Sequence, residues 1–238
     1  MSNNKTIYTI GYADKGIEEF VSCLKKHNIK YLLDVRSEPY SARFPNYNRT
    51  SLKKALDSSG IKYAWFGEYF GARRKEDSTF VNSYSARGVY RQQVCFDKVY
   101  LTDSFKYGVE RIEVALEQNL KICFMCSEKK PIDCHRFWMV AMFFAHNHGA
   151  KCNIINIIDA EKDETEEETI AQSDYFECKK KFYHENELEI EGSMLFNLKP
   201  IEWIEWWNGL FSDSDTFSSI RHFHNNKIGY IKGDESDD

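Results

Sequence analysis

Ile122-Cys123-Phe124-Met125-Cys126-Ser127-Glu128 runs through five apolar or thiol-bearing residues with no polar alternation before Ser127. A strand of that kind belongs in the middle of a parallel sheet, where helices cover both faces. Upstream, Tyr31-Leu32-Leu33-Asp34-Val35-Arg36-Ser37-Glu38-Pro39 has the same plan. An apolar strand meets charged residues and is broken at Pro39, whose ring fixes φ and removes a donor. Ligands of α/β sheets bind beyond the carboxyl ends of the strands. The two segments therefore predict one crevice holding an acid, a thiol, an imidazole and guanidinium groups.

The rest of the chain fits a sheet of this class. Thr6–Ile10 reads as a short buried strand ending at Gly11. Ile17, Phe20, Val21 and Leu24 recur at helical spacing and give an amphipathic helix up to about His27. Ile29–Val35 is the next strand, Leu52–Leu56 marks a helix stopped by Gly60, and Ile61–Phe66 is a third strand. Residues 67–100, with their glycines, aromatics and Arg73-Arg74-Lys75, read as a long ordered loop with short helical turns. Phe105–Leu116 is a helix, Cys134 to about His146 another, and Cys152–Ile158 a last strand. This order predicts an α/β fold with a doubly wound, mostly parallel, Rossmann-like three-layer sheet over residues 5–158. Residues 159–238 form an acidic linker and an aromatic-rich extension: Asp159–Glu168 holds seven acidic residues, and Trp203, Trp206 and Trp207 follow.

Charge is divided along the chain. Residues 1–158 carry 24 Lys and Arg against 16 Asp and Glu, whereas residues 159–238 carry 8 against 21. Such a split suits an anionic partner for the basic part, or is segregated surface charge. No apolar run approaches the roughly 18 residues of a membrane span, so no membrane partner is expected. The seven cysteines show no small-scaffold spacing and read as reduced thiols, which with the missing signal-like segment points to a cytoplasmic protein.

Several residues can carry chemistry. Strand alternation puts Asp34 and Arg36 on one side, away from Val35, where they either pair with each other or face a ligand. Arg43 and Arg49 follow on the same edge, and the guanidinium fork suits phosphate or carboxylate. Tyr8, Tyr12 and Tyr40 have aromatic faces on which a base could stack. Asp133 is a candidate N-cap for the helix at Cys134, which places His135 and Arg136 in a first turn that attracts anions. Glu128 and Asp34 are the candidate acid and base. Cys126 is either a nucleophile with His135 as its base or, like Cys134, a small buried packing residue. Cys123, Cys126, Cys134 and His135 together look like zinc ligands. Against this, alternation puts Cys123 and Cys126 on opposite faces, and adjacency makes joint ligation by Cys134 and His135 awkward; no metal or cofactor is expected. A thiol-redox pair fails likewise, because its first cysteine belongs at a helix N-terminus.

Thr9-Ile10-Gly11-Tyr12, Leu33-Asp34-Val35-Arg36-Ser37-Glu38-Pro39-Tyr40-Ser41, Phe44-Pro45-Asn46-Tyr47-Asn48, Gly67-Glu68-Tyr69-Phe70-Gly71 with Arg73, and Cys126-Ser127-Glu128 with Cys134-His135-Arg136 occur in this order. Over residues 5 to about 158 the chain thereby resembles a widespread bacterial and archaeal family, the domain of unknown function 488. The resemblance implies a single α/β domain and draws Gly11, Pro39, Ser41 and Arg73 into the candidate site. It also ties Asp34, Arg36, Cys126, Glu128, Cys134, His135 and Arg136 into one constellation. Ala13 stands where members often carry Ser. The expected catalytic set is Asp34, Cys126, Glu128 and His135. Ligand binding is assigned to Gly11, Tyr12, Arg36, Pro39, Ser41, Arg43, Arg73, Cys134 and Arg136.

Two functions follow as expectations. One is a hydrolase or group transferase for an anionic small molecule, phosphorylated or nucleotide-like. The other is a nucleic-acid-binding or genome-maintenance accessory protein using the basic part and the Arg73-Arg74-Lys75 loop. A partner-binding module built on Trp203–Trp207 is a third.

Overall fold

The computed structural model describes residues 5–158 except 14, 85–89, 132–133 and 148–151. The acidic linker, the tryptophan-rich extension and the candidate cap Asp133 lie outside the described residues.

Five strands build one sheet: β1 (Thr6–Gly11), β2 (Tyr31–Asp34), β3 (Lys62–Trp65), β6 (Ile122–Cys126) and β7 (Asn153–Ile157), in the order β3-β2-β6-β1-β7. All neighbours are parallel, with Tyr8 opposite Cys123, Gly11 opposite Cys126 and Leu32 opposite Cys123. The uninterrupted apolar strand β6 is the middle one, flanked by β2 and β1, and all five of its residues are buried. The fold is the doubly wound α/β class that the strand pattern predicts.

Helices cover the two faces differently. Between β1 and β2 lies α1 (Ile17–Lys26), and between β2 and β3 lies α2 (Arg49–Asp57). Phe20 and Leu24 of α1 and Leu52 and Leu56 of α2 pack with Ile10, Leu32, Cys123 and Met125 in one cluster. The left-handed residues Asn28 (φ 56°) and Gly60 (φ 71°) turn the chain after these helices, as helix-ending residues do. On the opposite face, Phe124 of β6 meets Phe70 and Phe144, and Phe70 meets Phe105. Phe70 ends the short α3 (Gly67–Phe70), and Phe105 belongs to α5 (Asp103–Glu117). Phe144 lies in a π-helical stretch, Arg136–Ala141 and Phe143–Asn147, where an α-helix was expected. π-Turns gather at functional sites.

Residues Arg73–Asp103 form a second compact unit. Here the structure differs from the expected long loop. β4 (Phe80–Tyr84) and β5 (Tyr90–Val94) make an antiparallel hairpin in register Phe80↔Val94 to Tyr84↔Tyr90. The helix α4 (Phe96–Tyr100) follows, and Lys98 Nζ donates to the Phe80 carbonyl at 3.1 Å. No helix among the described residues is long and apolar enough to cross a membrane.

Candidate functional site

The chain leaves β1 toward β2 on one side of the sheet and leaves β6 toward β7 on the other. Adjacent strands whose connections diverge open a crevice at their carboxyl ends. β1 and β6 are such a pair, and Gly11 and Cys126 are their last paired residues. The ends stay tied together past the ladder: Tyr12 N donates to the Cys126 carbonyl at 3.2 Å and Ala13 N to the Ser127 carbonyl at 2.9 Å. On the other flank Val35 N donates to the Met125 carbonyl at 3.0 Å. Gly11 is required by this closeness. A Cβ there would collide with the Glu128 carbonyl oxygen and come within 3.1 Å of Arg136 Nη2.

Two constellations sit at these ends. In the first, Asp34 and Arg36 form a buried pair with both forks engaged: Nε to Oδ1 at 2.9 Å and Nη2 to Oδ2 at 2.6 Å. The Arg36 backbone N–H adds a bond to Oδ1 at 3.1 Å, and the Tyr63 hydroxyl donates to Oδ2 at 2.8 Å. Arg36 also donates to the Tyr47 carbonyl at 2.8 Å and to the Tyr12 hydroxyl at 3.4 Å. Tyr12 in turn stacks on Tyr47, with ring centroids 4.2 Å apart. Of the two alternatives for Asp34 and Arg36, they take mutual pairing, and the pair anchors the loop after β2 to the sheet. Sequence reading did not single out Tyr63 and Tyr47 here. The Tyr63 contact depends on β3 lying beside β2, and no local pattern reveals that.

The second constellation holds the thiols. Cys126, Cys134, His135 and Arg136 are all buried, whereas Glu128 is only partly so. Cys134 Sγ lies 2.9 Å from Glu128 Oε2, the thiol donating to the carboxylate. His135 Nδ1 faces Cys126 Sγ at 3.8 Å and Cys134 Sγ at 4.0 Å. Its Nε2 lies 3.0 Å from the Val35 carbonyl, which only accepts, so Nε2 carries the proton. The Arg136 backbone N–H points at Cys134 Sγ at 3.4 Å. The Arg136 guanidinium donates to the carbonyls of Glu128 and Lys129 at 2.7 and 3.1 Å and clamps the loop after β6. Its Nε meets no acceptor among the described residues.

These neighbours set the proton affinities. Burial pushes the Cys126 thiol well above its ordinary value, and Cys134 and Glu128 beside it push the same way. Burial alone would raise Cys134 too, but hydrogen bonding with Cys126 and the nearby Arg136 and His135 bring it down. For Glu128, burial is outweighed by the charge of His135 and by both thiols, and its carboxyl falls to about 2. His135 is raised, because Cys134 and Glu128 outweigh the cost of burying its charge. The cluster is a carboxyl held toward its ionised form and an imidazole shifted toward protonation, placed around two unlike thiols.

The remaining candidates are spread along the edge. The Pro39 carbonyl accepts from Arg49 N at 2.9 Å and so closes the loop between β2 and α2. Ser41 N donates to Asn48 Oδ1 at 2.6 Å, and Ser41 Oγ accepts from Phe44 N at 3.1 Å. Arg43 is exposed with its guanidinium over Phe44, and Arg49 is exposed over Trp65. Arg73 belongs to the second unit. As alternation demands, Cys123 joins the cluster on the opposite face from Phe124. Adjacency does not keep Cys134 from His135: the ligand atoms of Cys126, Cys134 and His135 all lie within 4.8 Å of one another.

The sequence model of the family described as Domain of unknown function DUF488 matches residues 16–143. No curated protein and no solved structure matches the chain.

Proposed function

The chain belongs to the DUF488 family, and we propose that its strand-end crevice is the reactive centre of a hydrolase or group transferase for an anionic, phosphorylated or nucleotide-like substrate. The observation that supports this most is the gathering of Glu128, Cys134, Cys126 and His135 where β1 and β6 diverge. Burying so many ionisable groups is costly, and such clusters with displaced proton affinities mark sites of chemistry more often than sites of packing.

Within this reading Glu128 is the group that meets substrate, since it alone of the cluster is partly exposed. His135 and the thiols behind it hold its carboxylate ionised, so it orients a substrate hydroxyl or water as a hydrogen-bond acceptor rather than donating a proton. Arg36 and Arg136 hold protein groups, so they position the crevice rather than grip the anion. Anion recognition falls to Arg43 and Arg49, whose exposed guanidinium groups rest on Phe44, in the loop after β2, and on Trp65, at the end of β3.

The test is a thermal-shift panel of nucleotides and sugar phosphates on the full chain, repeated on Arg43→Ala/Arg49→Ala and Glu128→Gln. A ligand that raises Tm in the parent, loses the effect in the double arginine variant and binds without turnover in Glu128→Gln is the expected result. A parent protein that no phosphorylated compound stabilises overturns the reading.

A further inference from the structure

The geometry points to a metal site: we propose that Cys126, Cys134 and His135 bind one soft or borderline dication of the zinc class, with Glu128 at the fourth position. This goes beyond the reading of the crevice as an enzyme, and it stands whether or not a substrate is turned over.

Distances carry the first part of the argument. Zinc takes sulfur at about 2.3 Å and imidazole nitrogen at about 2.0–2.1 Å, so a tetrahedral angle sets sulfur and nitrogen about 3.6 Å apart. His135 Nδ1 is 3.8 Å from one sulfur and 4.0 Å from the other, and all three ligand atoms fit within 4.8 Å. The two nitrogen–sulfur separations come within about 0.4 Å of this, and the two sulfurs, which a tetrahedral site sets about 3.8 Å apart, lie within 4.8 Å. Two chain segments supply the ligands: the end of β6, with Cys126, and the two residues just before the π-helical stretch, Cys134 and His135.

Orientation carries the second part. The Val35 carbonyl holds the Nε2 proton, which leaves the Nδ1 lone pair aimed at the two thiols. A ligating histidine is held in this way, with its other nitrogen on a backbone carbonyl or carboxylate.

Charge and access carry the third. Two thiolates and the Glu128 carboxylate bring three negative charges; a dication and the buried Arg136 guanidinium beside them bring three positive ones. Binding displaces the thiol protons into solvent, as it does in any thiolate site. Cys126 and Cys134 are 2% and 1% exposed, which hinders attack on a large substrate but admits an ion. Glu128, partly exposed and already 2.9 Å from Cys134 Sγ, takes the fourth position directly or through a water.

The full chain, stripped with a chelator under reducing conditions, should take up one Co2+ with thiolate-to-cobalt charge-transfer absorption in the near ultraviolet, and Zn2+ should bleach it. Cys126→Ser and Cys134→Ser should each weaken binding at least about tenfold, beyond what loss of a supporting partner alone costs at its mildest. Cys123→Ala, on the other face, should leave it unchanged. The unmodified chain gives an independent readout: X-ray absorption at the zinc edge should report two sulfur neighbours with nitrogen and oxygen completing the shell. Absence of the charge-transfer band in the parent, unaltered affinity in both serine variants, or a zinc shell of nitrogen and oxygen only overturns the proposal. Loss of nucleotide stabilisation with these signals intact counts against the enzyme reading alone.

Discussion

At the scale of single residues, the buried Asp34–Arg36 pair and Gly11 hold the crevice in shape. Asp34 is fully buried and Arg36 5% exposed, and the guanidinium has its two strongest partners in one carboxylate. Removing one member of a buried pair strands the other, at about 3–5 kcal/mol. Asp34→Ala should therefore lower the unfolding free energy in urea by about that much, whereas Tyr63→Phe, which removes one donor to a charged acceptor, should cost about 1.5 kcal/mol. Equal effects for the two would refute the anchoring role. Gly11→Ala forces the Glu128 carbonyl away, and overpacking of this kind costs about 1–3 kcal/mol. The displaced loop should also expose Cys134, so faster alkylation of that thiol, mapped by mass spectrometry, is the second readout. The sequence could propose Asp34 beside Arg36 because alternation alone puts them on one side. It could not choose between mutual pairing and ligand binding, since that depends on Tyr63, Tyr47 and Tyr12 arriving from three other segments.

At the scale of elements, periodicity is informative where one face of an element is wet; where both are dry it is absent, which marks the short strand β6 but leaves the kind of the buried helix after it open. α1 shows its inner face as Phe20, Val21 and Leu24, and its limits could be read closely from the sequence. Arg136–Ala141 runs Arg-Phe-Trp-Met-Val-Ala with every residue buried, so no stripe distinguishes a π-helix from an α-helix. The β4–β5 hairpin escaped for another reason: Asn82-Ser83 and Gln92-Gln93 interrupt the alternation that marks strands. Phe124 shows what β6 gains from its aromatic neighbours. It is fully buried against Phe70 and Phe144, and Phe124→Ala should cost about 3–5 kcal/mol by urea unfolding. A loss below ~1 kcal/mol would mean that this face of the sheet is not a packed core. In the second unit, Glu76 binds Arg74 at 2.6 Å and Lys75 N at 3.1 Å. Burial pushes its carboxyl up, but its own backbone amide and Arg74 outweigh that and hold it below its ordinary value of 4.5. The folded form then releases this proton more readily than the unfolded form, so the contribution is present above pH 4.5 and fades as pH falls below it. The protection factors of the Thr79 and Cys95 amides, which bond to the Glu76 and Thr79 carbonyls, should fall on acidification in the parent once the slowing of intrinsic exchange is divided out, and should lose that dependence in Glu76→Gln.

At the scale of the whole molecule, the segment matched by the family model and the physical sheet do not coincide. The match covers residues 16–143, yet β1 ends at Gly11 and β7 begins at Asn153. β1 is an interior strand, paired with β6 on one side and β7 on the other. Of the five-stranded sheet, a fragment cut at 16 and 143 keeps only β3, β2 and β6, so β6 becomes an edge with a row of unpaired backbone groups. It also loses Ile7, Tyr8 and Ile10, which are buried, and Gly11, against which the Glu128 carbonyl lies. Each buried side chain of that size contributes about 1.5–3 kcal/mol, so losing three removes about as much as the whole stability of an ordinary domain leaves in reserve. The fragment 16–143 should therefore aggregate or unfold without a cooperative transition, while the full chain unfolds cooperatively under the same conditions. Adding residues 1–15 and 144–158 should restore the transition if the five-stranded sheet is the folding unit. Cooperative unfolding of the short fragment at the parent's urea midpoint would show instead that β2, β3 and β6 form a self-sufficient core, with β1 and the crevice merely docked upon it.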